Sequence, residues 1–288
     1  MKYPRIQKSK EVLDIVIGKL SKDPKKRDPY YFVNEFQNSI VDRYLYIYNS
    51  LPDYSKMNEY YLLMCKNIVP EATMEKHKNH YLATIRIINQ LAEKFKRYIS
   101  KNKKMAEKNR FQKEFLGRAS SVIRKLDKTI VELLGYSKDF KRIPNPDQKQ
   151  YTVVLIGVPN SGKTTLLAQI TDANPEINRY SFTTKSLNLG YFKKRLEIIQ
   201  VVDTPGLIHT EFKDMNLIEK QAIVAIKTLA NVIVFLYNQY QSLEDQERIL
   251  SKIKKDNPDK KMFVLPSFGG KMPKQKNITI KNILNRDL

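Results

Sequence analysis

The 288 residues leave room for about two domains of ordinary size and carry 52 Lys+Arg against 30 Asp+Glu, a net charge of +22. No apolar run approaches the roughly 18 residues of a membrane-spanning helix, no signal-peptide core follows the basic start, and the one cysteine, Cys65, excludes an internal disulfide. Membrane-spanning and disulfide-scaffold classes are thereby set aside; the charge favours a polyanionic partner, although a lysine-rich proteome gives the same balance.

Residues 1–150 hold 32 basic and 17 acidic side chains, net +15, whereas 151–288 hold 20 and 13, net +7. The first 135 residues read as helix, punctuated by Pro52 and Pro70 into four or five antiparallel segments. His77 and His80 lie three apart on one of them, but no Cys or acidic partner stands at ligand spacing, so no metal pair is expected. Leu82, Ile85, Ile88, Leu91, Phe95 and Tyr98 recur at helical steps, as do Phe115, Ala119, Val122, Leu126, Ile130 and Leu133. Such stripes are ordinary core, and Gly135 stands where a helix ends. One helix is expected from about Met105 to Leu134. Arg110, Lys113, Arg124 and Lys128 fall near one stripe of it, opposite the apolar one, and Lys101, Lys103 and Lys104 extend the charge. Glu107, Glu114 and Asp127 interleave only in part, so this face is the candidate for nucleic acid, a solvated face being the other reading.

Ile143-Pro-Asn-Pro-Asp lies in a polar, turn-rich stretch. It divides the chain into a basic helical domain (1–142), a linker (143–150) and a second domain (151–288). In the second, Tyr151–Ile156, Ile198–Val202, Val232–Leu236 and Met262–Leu265 are short β-branched runs separated by helical stretches. The expected fold is therefore an all-α helical bundle followed by an α/β P-loop domain with a mostly parallel sheet.

Gly157-Val158-Pro159-Asn160-Ser161-Gly162-Lys163-Thr164 satisfies G-x-x-x-x-G-K-[ST], with strand Thr152–Ile156 before it and Thr165–Ile170 able to begin a helix. The glycines permit a close approach, backbone N–H groups face phosphates, Lys163 bridges their oxygens, and the Thr164 hydroxyl suits Mg²⁺. Asp203-Thr204-Pro205-Gly206 closes a strand: the carboxylate reaches the Mg²⁺ shell and the Gly206 N–H meets a γ-phosphate. Thr183 and Thr184 lie between, where a threonine completes the metal shell when triphosphate is bound. Order and spacing together indicate a P-loop nucleotide switch.

With Pro175-Glu-Ile-Asn-Arg-Tyr-Ser-Phe-Thr-Thr-Lys185, Asp203-Thr-Pro-Gly-Leu207, Asn216-Leu-Ile-Glu-Lys-Gln-Ala222 and Leu116-Gly-Arg-Ala119, the chain resembles the nucleolar GTP-binding protein (NOG) family, in the Obg-related branch of translation-factor-like GTPases. The resemblance implies a helical domain packed before a G domain, a role in maturing the large ribosomal subunit, and rRNA with the subunit precursor as partners. It implies GTP and Mg²⁺ as cofactors, with Thr164, Thr184 and Asp203 at the metal, and Lys163 and Thr184 as the catalytic groups. Thr165, Thr183, Thr204 and Pro205 line the nucleotide with the phosphate loop. By the same resemblance Asn160 seats K⁺ beside the phosphates, or it simply caps the loop. A monomer off the ribosome is expected, cytoplasmic in an archaeal-type short form and nucleolar in a eukaryote; the long C-terminal extension of eukaryotic members has no counterpart here.

Two features depart from that pattern. Pro266-Ser-Phe-Gly269 stands where the family's base-reading Asn-Lys-x-Asp follows the strand, and Lys281-Asn282 stands in place of the later Ser-Ala loop. Guanine preference thus rests on resemblance. Leu207 occupies the place of a water-orienting glutamine, and Gln221 and Gln239 lie elsewhere, so slow turnover is expected. The rival readings are a degenerate G domain serving as a structural rRNA-binding wedge, and an ATP-using P-loop enzyme.

Overall fold

The computed structural model describes residues 3–171, 187–194, 197–267 and 280–284. The chain folds as two compact units. The first runs to Ser55 and resumes over Val69–Lys141; the second comprises Lys56–Ile68 and the chain from Arg142 onward. The expected cut at Arg142 is therefore joined by an excursion, in which a stretch of the helical region folds with the sheet.

Among the described residues the first unit holds α1 (Ser9–Lys22), α2 (Pro29–Ser50), α4 (Glu71–Lys101), α5 (Met105–Arg124) and α6 (Asp127–Lys141), while α3 (Glu59–Ile68) belongs to the second. Asp28 caps α2 by accepting the Tyr30 N–H, and Pro29 sits where its missing donor costs nothing. One face of α2 (Phe32, Phe36, Ile40, Tyr44) and one of α4 (Tyr81, Ile85, Ile88, Phe95) are buried. Phe115 of α5 meets both, edge-on to Phe36 at 5.6 Å and to Phe95 at 5.9 Å between ring centres.

Three expectations are corrected here. Tyr98 is 39% exposed, and Ile123 rather than the half-buried Val122 carries the α5 stripe inward. The single helix Met105–Leu134 is two helices. At their junction the Ile123 carbonyl accepts from the Leu126 N–H (3.1 Å) and from the Ser9 hydroxyl (2.9 Å), while the Asp127 carboxylate accepts the Ser9 N–H. The start of α1 thus takes up groups that a continuous ladder needs, and Lys128 falls on a different helix from Arg110, Lys113 and Arg124. Gly135 does not end a helix: α6 runs through it to Lys141, because buried Phe140 extends the stripe of Ile130 and Leu133. That burial outweighs the roughly 1 kcal/mol that a mid-helix glycine costs.

His77 is 2% exposed, its two ring nitrogens have no hydrogen-bond partner among the described residues, and Nε2 lies 3.4 Å from Glu132 Oε2. His80 instead pairs through Nδ1 with the Thr129 hydroxyl at 2.7 Å. Burial lowers the His77 pKa below its ordinary value of 6.5, with Glu132 opposing. As pH falls below about 6.5 the unfolded chain takes up this proton before the folded one does, so stability is lost with acidification. Thermal melts between pH 7.5 and 5 are expected to show a larger acid loss for the native protein than for His77→Phe; equal losses place the acid sensitivity elsewhere.

The second unit is built on a five-stranded sheet. In chain order it contains β1 (Tyr151–Ile156), α7 (Lys163–Ile170), β2 (Asn188–Lys194), β3 (Glu197–Asp203), α8 (Leu217–Leu229), β4 (Val232–Tyr237), α9 (Leu243–Asp256), β5 (Lys261–Pro266) and α10 (Ile280–Leu284). Strand order is β2-β3-β1-β4-β5, with only β2 antiparallel to its neighbour. Central β1 is buried from Thr152 to Ile156, the near-continuous pattern of a strand covered on two faces. Nothing in the sequence marks β2, since an edge strand with mixed exposure carries no clear alternation. Gly190 lets it close down on α7, because a Cβ there would stand 2.5 Å from the Thr171 methyl and 2.7 Å from Leu167. Lys281 and Asn282 lie in α10 and not in a loop. Helix α3 packs on α8, with Glu59 3.4 Å from Lys227 and the buried Tyr60 donating to the Pro144 carbonyl.

Candidate nucleotide site

The phosphate loop leaves β1 at Gly157 and enters α7 at Lys163. Gly157 has φ +147°, and a Cβ there would stand 2.5 Å from the Leu236 carbonyl oxygen; Gly162 turns into the helix at φ +82°. Asn160 sits at the crown with φ +59°, in the left-handed region that asparagine tolerates better than most residues.

Lys163 is 5% exposed and spans the inside of this loop. Its ammonium donates to the Val158 carbonyl at 2.8 Å, the Gly157 carbonyl at 3.2 Å and the Ser161 hydroxyl at 3.2 Å. Burial pushes its pKa down to about 8, against the pull of Asp203. Phosphate oxygens entering the loop offer a better counter-charge than carbonyls. The N-terminus of α7 presents its first N–H groups at the same place. Val158 is buried, Pro159 is half-buried, and Thr165 is exposed on the first turn of α7.

Asp203 ends β3 with no exposure. Its Oδ2 accepts from the Thr164 hydroxyl at 2.7 Å and from Asn188 Nδ2 at 3.0 Å. Its Oδ1 is buried and has no hydrogen-bond partner among the described residues. Burial raises its pKa, while Thr164, Lys163 and Asn188 lower it. A buried carboxylate oxygen without a donor, beside a hydroxyl and an ammonium, suits a hydrated divalent cation, so the residues present fit Mg²⁺. Thr204 anchors the following turn by donating its hydroxyl to the Leu155 carbonyl at 2.8 Å. Pro205 leads into Gly206, which packs against the crown: a Cβ there would lie 2.4 Å from the Pro159 nitrogen. Thus Gly157, Lys163, Thr164, Asp203 and Gly206 are brought together, whereas Thr183 and Thr184 lie outside the described residues.

Leu207 is fully buried and its N–H donates to the Gly157 carbonyl, so its side chain belongs to the core. Gln221 is 5% exposed within α8. After β5 the Ser267 N–H binds the Tyr237 carbonyl at 2.7 Å; Phe268 and Gly269 lie outside the described residues.

Sequence reasoning missed three supports. Asn188 is one. Glu219, 1% exposed, is another: it accepts the N–H groups of Ile208, His209 and Asn216 and lies 3.0 Å from His209 Nδ1. Burial opposes its ionisation, but these bonds outweigh that and hold its pKa below the usual carboxylate value. It fixes the segment after Gly206, and its signal was readable, because Asn216-x-x-Glu219 is a capping box. The third is the loop after β4. Asn238 Nδ2 donates to the Asn160 carbonyl at 3.2 Å and Gln241 Nε2 to the Pro159 carbonyl at 3.0 Å. The buried Gln246 in turn holds Asn238 through both backbone groups at 2.8 Å.

Comparison with known proteins identifies the family. Residues 4–147 match the family profile described as the NOG1 N-terminal helical domain, and residues 152–266 that of the 50S ribosome-binding GTPase. An uncharacterised protein of Methanocaldococcus jannaschii is 30% identical over 226 residues, 77% of this chain and 63% of that one. Nucleolar GTP-binding protein 1 of Eremothecium gossypii is 30% identical over 199 residues, 65% of this chain and 31% of that one. The chain thus spans less than two thirds of the length of the relatives it matches. Among solved structures, the G domain of the T. maritima FeoB iron transporter aligns with a TM-score of 0.34 at 22% identity, covering 41% of this chain and 71% of that one.

Proposed function

The chain belongs to the NOG1 family of P-loop GTP-binding proteins, and we propose from that premise that it is a Mg²⁺-dependent GTP switch acting in large-subunit ribosome maturation. The observation that carries the reading is the buried Asp203 Oδ1, without a hydrogen-bond partner among the described residues, beside the Thr164 hydroxyl and in one cluster with Lys163. Lys163 and the N-terminus of α7 bind and orient the β- and γ-phosphates, and the Gly206 N–H, pressed against the crown, senses the γ-phosphate. Thr164 and Asp203, with Thr184, hold the metal, whose charge offsets the negative charge that develops during phosphoryl transfer. The exposed Asn160 would seat K⁺, whose charge would add to that of the metal. Turnover is slow, because the buried Leu207 cannot orient a water.

The helical unit docks on rRNA of the subunit precursor, and the protein is a monomer away from it. Its compartment follows its host: cytoplasmic in an archaeon, nucleolar in a eukaryote. The second reading, a structural wedge without turnover, draws on the absence of Asn-Lys-x-Asp after β5. The intact phosphate cluster favours the switch.

Competition of GTP and ATP for one labelled guanine nucleotide in Mg²⁺ tests the site and its base selectivity together. Without the aspartate that takes two guanine donors, each bond worth roughly 1.5–3 kcal/mol, GTP and ATP are expected to compete within about tenfold. A GTP preference of several orders of magnitude assigns the selectivity to another group; no binding of either leaves the wedge. The same assay in KCl and in NaCl reads the K⁺ contribution.

A further inference from the structure

We propose that Asn188 is a positioning residue for the cation half of this site: its amide holds one oxygen of Asp203 so that the other stays turned toward the metal's shell. The inference rests on the Mg²⁺-nucleotide reading above and adds a residue to it.

Asn188 opens β2 and stands directly opposite Asp203 of β3 in the antiparallel register. Opposed residues of such a pair project to the same face with Cβ atoms about 5 Å apart, and here the amide reaches the carboxylate with an N···O distance of 3.0 Å. The Oδ2 atom already accepts the Thr164 hydroxyl at 2.7 Å, so two donors converge on one oxygen and fix the plane of the carboxylate. The consequence is seen at Oδ1, which is buried and bonded to no described residue. Amide nitrogen and oxygen are assigned from their surroundings, and a carboxylate acceptor requires the nitrogen.

The two donors are not equivalent. The Thr164 hydroxyl is also the group suited to ligate the cation, through an oxygen lone pair that leaves its O–H on Oδ2. Asn188 has no second task among the described residues and remains on Oδ2 in either state. Oδ1 meets a partner only when the metal is bound, so the orientation that Asn188 supplies is felt with metal and nucleotide present. Its chemistry suits the role: a neutral amide orients the carboxylate without offsetting its charge. A lysine would neutralise the charge, an aspartate would set a second carboxylate against it, and a leucine would leave Oδ2 to Thr164 alone. Removing the group that orients a metal-binding carboxylate typically costs 10–100-fold in metal affinity.

The test follows dissociation of a fluorescent GTP analogue from the full chain across a Mg²⁺ series, for the native protein and for Asn188→Leu. The half-saturating Mg²⁺ concentration is expected to rise about 10–100-fold. Nucleotide affinity in EDTA is expected to stay unchanged. Asn188→Ala, at this half-buried edge position, serves if the leucine variant does not fold. An unchanged Mg²⁺ requirement overturns the inference, as does a parallel loss with and without Mg²⁺, which marks a purely structural role. A native protein indifferent to Mg²⁺ overturns the metal reading and this inference together; failure in the variant alone overturns only the inference.

Discussion

Lys163→Ala is expected to abolish triphosphate binding while leaving the helical content of the protein unchanged. The ammonium is buried inside the phosphate loop and holds the Gly157 and Val158 carbonyls and the Ser161 hydroxyl. When phosphates enter, bonds to neutral acceptors are exchanged for ones in which both partners are charged, each worth roughly 1.5–3 kcal/mol. Losing two of them lowers affinity by about 10²–10⁴. The fold loses less. The loop gives up bonds from the ammonium to neutral acceptors, and deletion also relieves the burial that pushes this ammonium down to about 8. Titration with a fluorescent GTP analogue beside far-ultraviolet circular dichroism separates the two effects. Equal affinities for mutant and native protein would falsify the site assignment.

The legible part of the site was the part encoded by local backbone demands. A loop that must pass at φ +147° and +82° writes glycine into the sequence at Gly157 and Gly162, and a turn where a Cβ would lie 2.4 Å from the Pro159 nitrogen writes Gly206. The strands β1, β3, β4 and β5 were legible within a residue at each end: β1 and β4 are buried almost throughout, and the β-branched runs of β3 and β5 are bounded by Asp and Pro. What was not legible depends on residues distant in sequence. Asn188 acquires its meaning only from the register that sets it against Asp203. The break between α5 and α6 depends on Ser9, 114 residues before Ile123. Helix α3 has an ordinary amphipathic pattern with Tyr60, Met64 and Cys65 buried, and nothing in that pattern says that the surface it covers is α8. Local rules specify conformation; the choice of partner is tertiary.

The basic surface of the helical unit shows the same division, and it yields the second large effect. The expected stripe of Arg110, Lys113, Arg124 and Lys128 dissolves, since Lys128 sits on α6 and Arg110 lies 3.8 Å from Glu107. In its place is a groove of about 700 Å³ along α5, lined by Lys113, Arg124 and Lys125 with the Ser120 and Ser121 hydroxyls and Gly117 between them. None of these three cations has an ion-pair partner among the described residues, and no carboxylate lines the groove. A Cβ at Gly117 would meet nothing within 4 Å, as is also true of Gly18 and Gly135, but only Gly117 lines this groove. The fold gains nothing there from a glycine that costs about 1 kcal/mol in a helix, and its bare backbone would let a phosphodiester chain approach closely. Lys113→Glu/Arg124→Glu/Lys125→Glu in the full chain is therefore expected to weaken binding to large-subunit rRNA fragments by at least about 10²-fold. It should also flatten the salt dependence by about two to three log units per log unit, near 0.7–0.9 for each phosphate left without its cation. Arg110→Glu is expected to change little, its charge being exposed and already paired. Little base preference is expected in either protein, because cations along a helix read backbone shape. Filter binding across a salt series decides the matter: a triple variant that binds as tightly as the native chain, with the same slope, removes this groove from the RNA surface.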